Sequence, residues 1–545
     1  MSCGLRSNGD ASRLARSERL WSRFHTEEAH LSPAATQAEL EIGAHALARD
    51  ELLAIIRGVR RLSLSPPVLA RVARARAVIE RVLASGEAVY GVNTGFGKLA
   101  RVRIPPQDLE RLQENLLLSH ACGVGPCLPL QEARAVLALR IVALAQGYSG
   151  VRAELLERLL AIYNGGLVPA IPEQGSVGAS GDLAPLAHMA LLLLGKGEVV
   201  VDGAARAAAP LLASHGLAPL KLAPKEGLAL INGTQVSTAI TACAWSRACS
   251  LATQADLAAA CTLEALKGSI RAFDPRIQRI RPYPGHAAAA ANVRRLLEGS
   301  EILVSHQHCD KVQDQYSLRC VPQVHGACRD LIEQVERTLL IEASAVTDNP
   351  LVFPDEGEVL SGGNFHAEPV AFAADILSIA VAELASISER RTENLVNPDL
   401  SGLPAFLAPT PGINSGLMMA QVTAAALVSE NKTLCHPASV DSIPTSANKE
   451  DHVSMAPIAA RKARAVVANA ERVLAIELLA AAQALDFESR YRPGRGVAIA
   501  HQVIRERVPR AGDDRLLALD IAAVHELVES GELLARLARE GVELV

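Results

Sequence analysis

The chain has 545 residues, is 49% hydrophobic and carries a net charge of −5. A chain of this length buries a large core, and its mildly acidic balance supplies no basic footprint for nucleic acid or an acidic membrane surface. Ten cysteines, none in a Cys-x-x-Cys pair, are too sparse for a disulfide scaffold, so reduced thiols and a cytoplasmic location are expected.

Residues 1–38 are polar, rich in Arg and Ser, and lack the apolar run of a secretory signal; a flexible tail is expected there. From Leu52 to Leu83 apolar residues recur at helical spacing, with Pro66-Pro67 dividing two helices. Tyr90-Gly-Val-Asn-Thr-Gly-Phe-Gly97 interrupts the pattern as a glycine-rich loop. Helices return over Leu112–Leu118 and Gln131–Ala145, and a second glycine-rich break covers Gly175–Gly181. Val199–Val201 beside Gly203 reads as a short hairpin.

Beyond Asn232 the periodicity gives long helices over 236–266, 327–345, 369–394, 415–432 and 458–482, then an amphipathic pair around Gly531. Aromatic content of only 3% and the abundance of Ala and Leu agree with a mainly α fold. The uncharged run Leu403–Ser429 is no membrane span, because Pro404, Pro409, Pro411 and Gly412 shorten its helical part. Its helix at 415–429 is apolar almost all round, which predicts burial on every side. The expected organisation is a tail (1–38), an N-terminal domain with both glycine-rich loops (39–230), and a long-helix bundle with C-terminal helices (231–545).

The chemistry concentrates in a few segments. Gly175-Ser-Val-Gly-Ala-Ser-Gly-Asp-Leu-Ala-Pro-Leu186 read alone is a turn ending in a helix N-cap at Asp182. In Lys311-Val-Gln-Asp-Gln-Tyr-Ser-Leu-Arg-Cys320, helical spacing would place Gln313, Tyr316 and Arg319 on one face, with Arg319 suited to grip a carboxylate through two nitrogens. Leu230-Ile-Asn-Gly-Thr-Gln235, Ser361-Gly-Gly-Asn-Phe-His-Ala-Glu-Pro369 and Thr445-Ser-Ala-Asn-Lys-Glu-Asp-His-Val-Ser-Met455 add further polar loops. His306, His308 and Cys309 have no partner cluster in the sequence, so no metal is expected.

Taken together and in this order, these segments resemble the ammonia-lyases that carry a methylidene-imidazolone group (MIO), over a stretch from about Glu39 to the end. The resemblance implies a cofactor made from the chain itself: the Gly181 amide nitrogen attacks the Ala179 carbonyl carbon, and two dehydrations leave an exocyclic methylene where the Ser180 hydroxyl was. No external cofactor is implied. It implies Tyr90 as the base for the substrate β-proton, Asn232 beside the ring, Tyr316 in proton traffic, Gln313 in support and Phe365 in the pocket wall. It also implies a fumarase/aspartase-like bundle with a smaller head domain, assembled as a homotetramer whose active sites are shared between subunits.

Two positions bear on the substrate. Ser119-His120 resembles the pair in the histidine-acting branch, and Glu450 stands where the phenylalanine and tyrosine branches resemble Gln. A carboxylate accepts an imidazole N–H, whereas against a benzene ring it would be left unpaired. The implied reaction is the non-oxidative conversion of L-histidine to trans-urocanate and ammonia, with Glu450 a second candidate base. The alternatives are a phenylalanine or tyrosine lyase or aminomutase on the same scaffold, a superfamily lyase without the prosthetic group, and a non-catalytic helical scaffold.

Overall fold

The computed structural model describes residues 39–307 and 312–545. The expected tail and the His308-Cys309 pair lie outside them. Of the described residues 61% are helical, and the described strands form four two-stranded sheets and no larger one. It divides into two compact units. The first holds the described residues up to Ala239 together with Ala343–Ala367 and Ile443–Val453; the second holds Ile240–Glu342, Glu368–Ser442 and Ser454–Val545.

The expected division at 230/231 into two continuous parts therefore differs from the observed one, in which the chain returns to the first unit twice. Tertiary packing explains the first return. The hairpin of Leu351–Phe353 and Glu358–Leu360 brings Val352 into a core with Ala75, Val78, Ile79 and Val92, far away in sequence.

All four small sheets belong to the first unit. They include the expected hairpin, Glu198–Val201 against Ala204–Ala207 in antiparallel register Val199↔Arg206. Helices Arg49–Arg57 and Pro66–Ser85 fall either side of the paired prolines, with Pro66 at the first helical position, where its missing N–H leaves no bond unmade. Helix Leu130–Ala145 is buried on nearly every side, including the charged Arg140 in its third turn. Short helix Leu183–Ala190 follows the Gly175–Gly181 break, and short helix Glu226–Ile231 leads into the Asn232-Gly233 turn.

The second unit is built on long helices. Glu368–Val396 and Ala456–Leu485 run along one another, and Met418–Leu434 packs on both. Arg391, fully buried on the first of these, forms a two-point pair with Glu477 on the second at 2.6 and 2.8 Å. Glu368–Val396 is long and apolar enough to cross a membrane, yet two thirds of its apolar window (67%) is buried within the protein.

Two expectations fail here. Helix Met418–Leu434 buries only Ala420, Ala424 and Asn431; Met419 and Val422 are 59% and 46% exposed, because the neighbouring helices cover one face of it and leave the other open. Gln313 is not helical. Residues 312–315 are non-helical, with Asp314 pinned by the Ser269 N–H at 2.6 Å, and the helix begins only at Tyr316. That helix ends after four residues, because Pro322 lacks the N–H that would bond back to Leu318 and its ring clashes with that carbonyl. The longer helix, Val321–Ser344, starts afresh with Pro322 in its first turn, where the missing N–H leaves no helical bond unmade.

Candidate active site

The Gly175–Gly181 break folds back on itself within the first unit. Ser176 Oγ accepts the Gly178 N–H at 3.1 Å and donates to the Gly181 carbonyl at 3.3 Å. Gly181 sits at φ +75° in a parallel bridge with Gly233. A Cβ on Gly181 would lie 2.8 Å from the Gly233 nitrogen and closer still to its carbonyl, so only glycine fits. The next residue, Asp182, donates its N–H to the Gly233 carbonyl at 2.7 Å. The Asp182 carboxylate does not cap its own helix. It accepts the Ser237 N–H and hydroxyl, both at 2.8 Å, placing negative charge at the start of helix Gln235–Ala265.

Two sequence-predicted residues meet at the tripeptide. Asn232 Nδ2 donates to the Ser180 carbonyl at 2.7 Å, while its Oδ1 is buried without a hydrogen-bond partner. The Ser180 hydroxyl donates to Glu450 Oε1 at 2.8 Å. Glu450 is held by the Thr445↔Glu450 bridge, and its Oε2 accepts the hydroxyls of Thr445 and Ser446, both at 2.7 Å. Half-burial alone would raise the Glu450 pKa; these hydroxyls and the nearby His120 outweigh it and hold the carboxyl below its ordinary range.

His120 ends helix Leu109–His120, with Nδ1 3.0 Å from Ser119 Oγ. That hydroxyl donates to the Leu116 carbonyl at 3.1 Å, so it accepts from Nδ1–H and leaves Nε2 as an acceptor. Burial pushes the His120 pKa below 6.5, partly offset by the Leu116 carbonyl and Glu450. The pair thus combines a neutral imidazole acceptor with an ionised carboxylate.

Tyr90 lies half-buried on its own braced loop, where Asn93 bonds Val89 and Glu87 and the Tyr90 oxygen accepts the Gly97 N–H at 3.4 Å. Phe365 is half-buried on a first-unit loop held by Gly362 N–H to Asn349 Oδ1 at 2.8 Å. Gln313, Tyr316 and Arg319 belong to the second unit. The Tyr316 ring is 71% exposed, and the Arg319 guanidinium lies 4.5 Å above it, with Nε buried and unpartnered.

Sequence reasoning missed the support behind the tripeptide. Arg140 and Gln235 are buried beneath Asn232 and Gly233, and Thr347 joins them from the returning segment. A buried arginine inside an apolar helix was the available signal.

The first unit thus brings together a compressed Ala-Ser-Gly turn, an asparagine bonded to it and a carboxylate facing it. The model of the aromatic amino acid lyase family matches residues 47–506, and the chain belongs to that family. Histidine ammonia-lyase of Anaeromyxobacter dehalogenans is 58% identical over 503 residues, covering 91% of this chain and 99% of that protein. The Symbiobacterium thermophilum histidine ammonia-lyase is 56% identical over 496 residues, 91% of this chain and 97% of that one. Among solved structures, histidine ammonia-lyase from Trypanosoma cruzi is 44% identical with TM-score 0.85, covering 93% of this chain and 98% of that one. Tyrosine aminomutase from Streptomyces globisporus is 38% identical with TM-score 0.89, covering 93% of this chain and 100% of that one.

Proposed function

We propose that the protein deaminates L-histidine to trans-urocanate and ammonia, through an electrophile formed from Ala179-Ser180-Gly181. The observation that carries the reading is Glu450: a carboxylate held ionised against the Ser180 side chain, able to accept an imidazole N–H. In ring formation the Gly181 nitrogen bonds to the Ala179 carbonyl carbon. The resulting hydroxyl leaves as water with the Ser180 N–H proton, and the Ser180 β-hydroxyl leaves as a second water with its α-proton. The residues fit that chemistry, since the turn admits only glycine at 181 and Asn232 already holds the Ser180 carbonyl. The ring supplies an electrophilic methylene, which no ordinary side chain provides.

The chain's own residues do the rest. The Asn232 amide, donating to the Ser180 carbonyl, stabilises negative charge there, and its unpartnered Oδ1 accepts from the substrate amine. Glu450 and His120 Nε2 offer acceptors to the imidazole N–H groups. Tyr90 takes the β-proton, with Glu450 the second candidate for that work. Phe365 walls the pocket. Arg319, with its buried unpartnered Nε, grips the substrate carboxylate, aided by Tyr316 and Gln313. We place these last three in a site completed by another copy of the chain in a homotetramer; the exposed Tyr316 and the open apolar face at Met419 and Val422 support that reading.

The test is Ser180→Ala with intact-mass measurement. The wild-type chain should weigh two waters less than its sequence, and the variant should fold, retain both waters and lose nearly all turnover. Active wild-type protein with an intact tripeptide, or a variant that turns over normally, would overturn the proposal.

A further inference from the structure

Arg140 is fully buried in helix Leu130–Ala145, yet none of its hydrogen bonds goes to a carboxylate. Nη2 donates to the carbonyls of Ala229 and Asn232, the latter at 2.9 Å, and Nη1 donates to Gln235 Oε1 at 2.6 Å. Gln235 Nε2 in turn donates to Thr347 Oγ1 at 2.8 Å. A desolvated charge spent on neutral acceptors is costly, so what those acceptors do is informative.

They bracket one short turn. Ala229 lies in the last turn of helix Glu226–Ile231, where carbonyls lack helical partners and carry the negative end of the helix dipole. Asn232 and Gln235 flank Gly233, whose backbone sits at φ +150° and where a Cβ would fall 2.5 Å from Arg140 Nη1 and from Gln235 Oε1. This turn makes two contacts with the tripeptide segment: Asn232 Nδ2 to the Ser180 carbonyl, and the Gly233 carbonyl to the Asp182 N–H with Gly181 packed against it. One guanidinium therefore fixes the backbone behind both.

We infer that Arg140 is a positioning residue for the electrophile, clamping the Asn232-Gly233 turn so that it compresses the Ala179-Ser180-Gly181 loop and keeps the Asn232 amide on the Ser180 carbonyl. The inference rests on the proposed function, and it assigns Arg140 no contact with substrate. Its effect runs through Asn232 and Gly233, so it alters ring formation and the chemical step more than histidine affinity.

The experiment compares wild type, Arg140→Lys, Asn232→Ala and the double variant by thermal melting, intact mass, and kcat and KM for L-histidine. In Arg140→Lys a fraction of freshly purified chains should retain both waters. Its kcat per ring-containing chain should fall about 10- to 100-fold, with KM changed less than about 3-fold. Added to Asn232→Ala, Arg140→Lys should lower kcat little further, because the two act through one contact. Complete ring formation with wild-type kcat, or kcat losses that multiply in the double variant, would overturn the inference. Should Arg140→Lys fail to fold, Gln235→Leu, which removes the Nη1 acceptor together with the hydrogen bond to Thr347, is read by the same criteria. A wild type that lacks the mass loss would refute the proposed function instead.

Discussion

Glu450→Gln tests substrate selection most sharply, because the side chain keeps its shape while losing its charge and one acceptor oxygen. Three hydroxyls now donate to the carboxylate: those of Thr445 and Ser446 at 2.7 Å and that of Ser180 at 2.8 Å. The first two share Oε2, and Ser180 alone occupies Oε1. Ring formation expels the Ser180 hydroxyl as water, which frees Oε1 for a substrate N–H. A hydrogen bond to a charged acceptor contributes about 1.5–3 kcal/mol, and each ~1.4 kcal/mol is tenfold in rate, so kcat/KM for L-histidine should fall about 10- to 150-fold. Urocanate absorbance gives the rate, and circular dichroism checks the fold. The wild-type profile should lose kcat/KM below pH 6.5, as His120, its pKa lowered by burial, becomes protonated and Nε2 stops accepting. An unchanged kcat/KM in Glu450→Gln would refute the reasoning, while a fall far beyond the range would assign Glu450 the proton transfer as well.

Gly181→Ala should leave the chain unprocessed. The left-handed backbone costs about 1–2 kcal/mol with a side chain, and the new Cβ collides with Gly233; full loss of two waters in this variant would contradict the geometry. Glu264 in the second unit accepts the Ser300 hydroxyl and the Gly494 N–H, with no cation beside it among the described residues, and burial raises its pKa from 4.5 to about 7. The folded state thus holds that proton more tightly than the unfolded state, so the stability this group contributes declines as pH rises from 4.5 to about 7. Relative to Glu264→Gln, the wild type should lose on the order of 2–3 kcal/mol over that window in denaturant titrations; a difference independent of pH would contradict this. Val422→Glu places a charge on the open face of helix Met418–Leu434 and should give a smaller species with reduced turnover, read by light scattering and activity. An unchanged mass would remove that face from the interface.

The long helices were legible because each buries a face that repeats at helical period, and the hairpin at Val199 because Gly203 marks its turn. The tripeptide, Asn232 and Glu450 were legible as motifs, and the structure joins them by direct hydrogen bonds. Four features were hidden for physical reasons. Residues 343–367 and 443–453 rejoin the first unit through contacts that span hundreds of residues, which no local pattern encodes. Gln313 falls outside the helix because Asp314 is tied to Ser269, a contact stronger than local helical preference. Helix Met418–Leu434 is largely apolar yet covered on one face, because composition does not record on how many sides neighbouring helices pack. Asp182, read as an N-cap for its own helix, serves the next one.

Incubating the purified protein separately with L-histidine, L-phenylalanine and L-tyrosine, and following product formation in the ultraviolet with ammonia release, tests the proposed chemistry most directly. The expected result is trans-urocanate and ammonia in equal amounts from L-histidine, with the other two amino acids far slower. Cinnamate or coumarate with no urocanate, or a β-amino acid without ammonia, would contradict it.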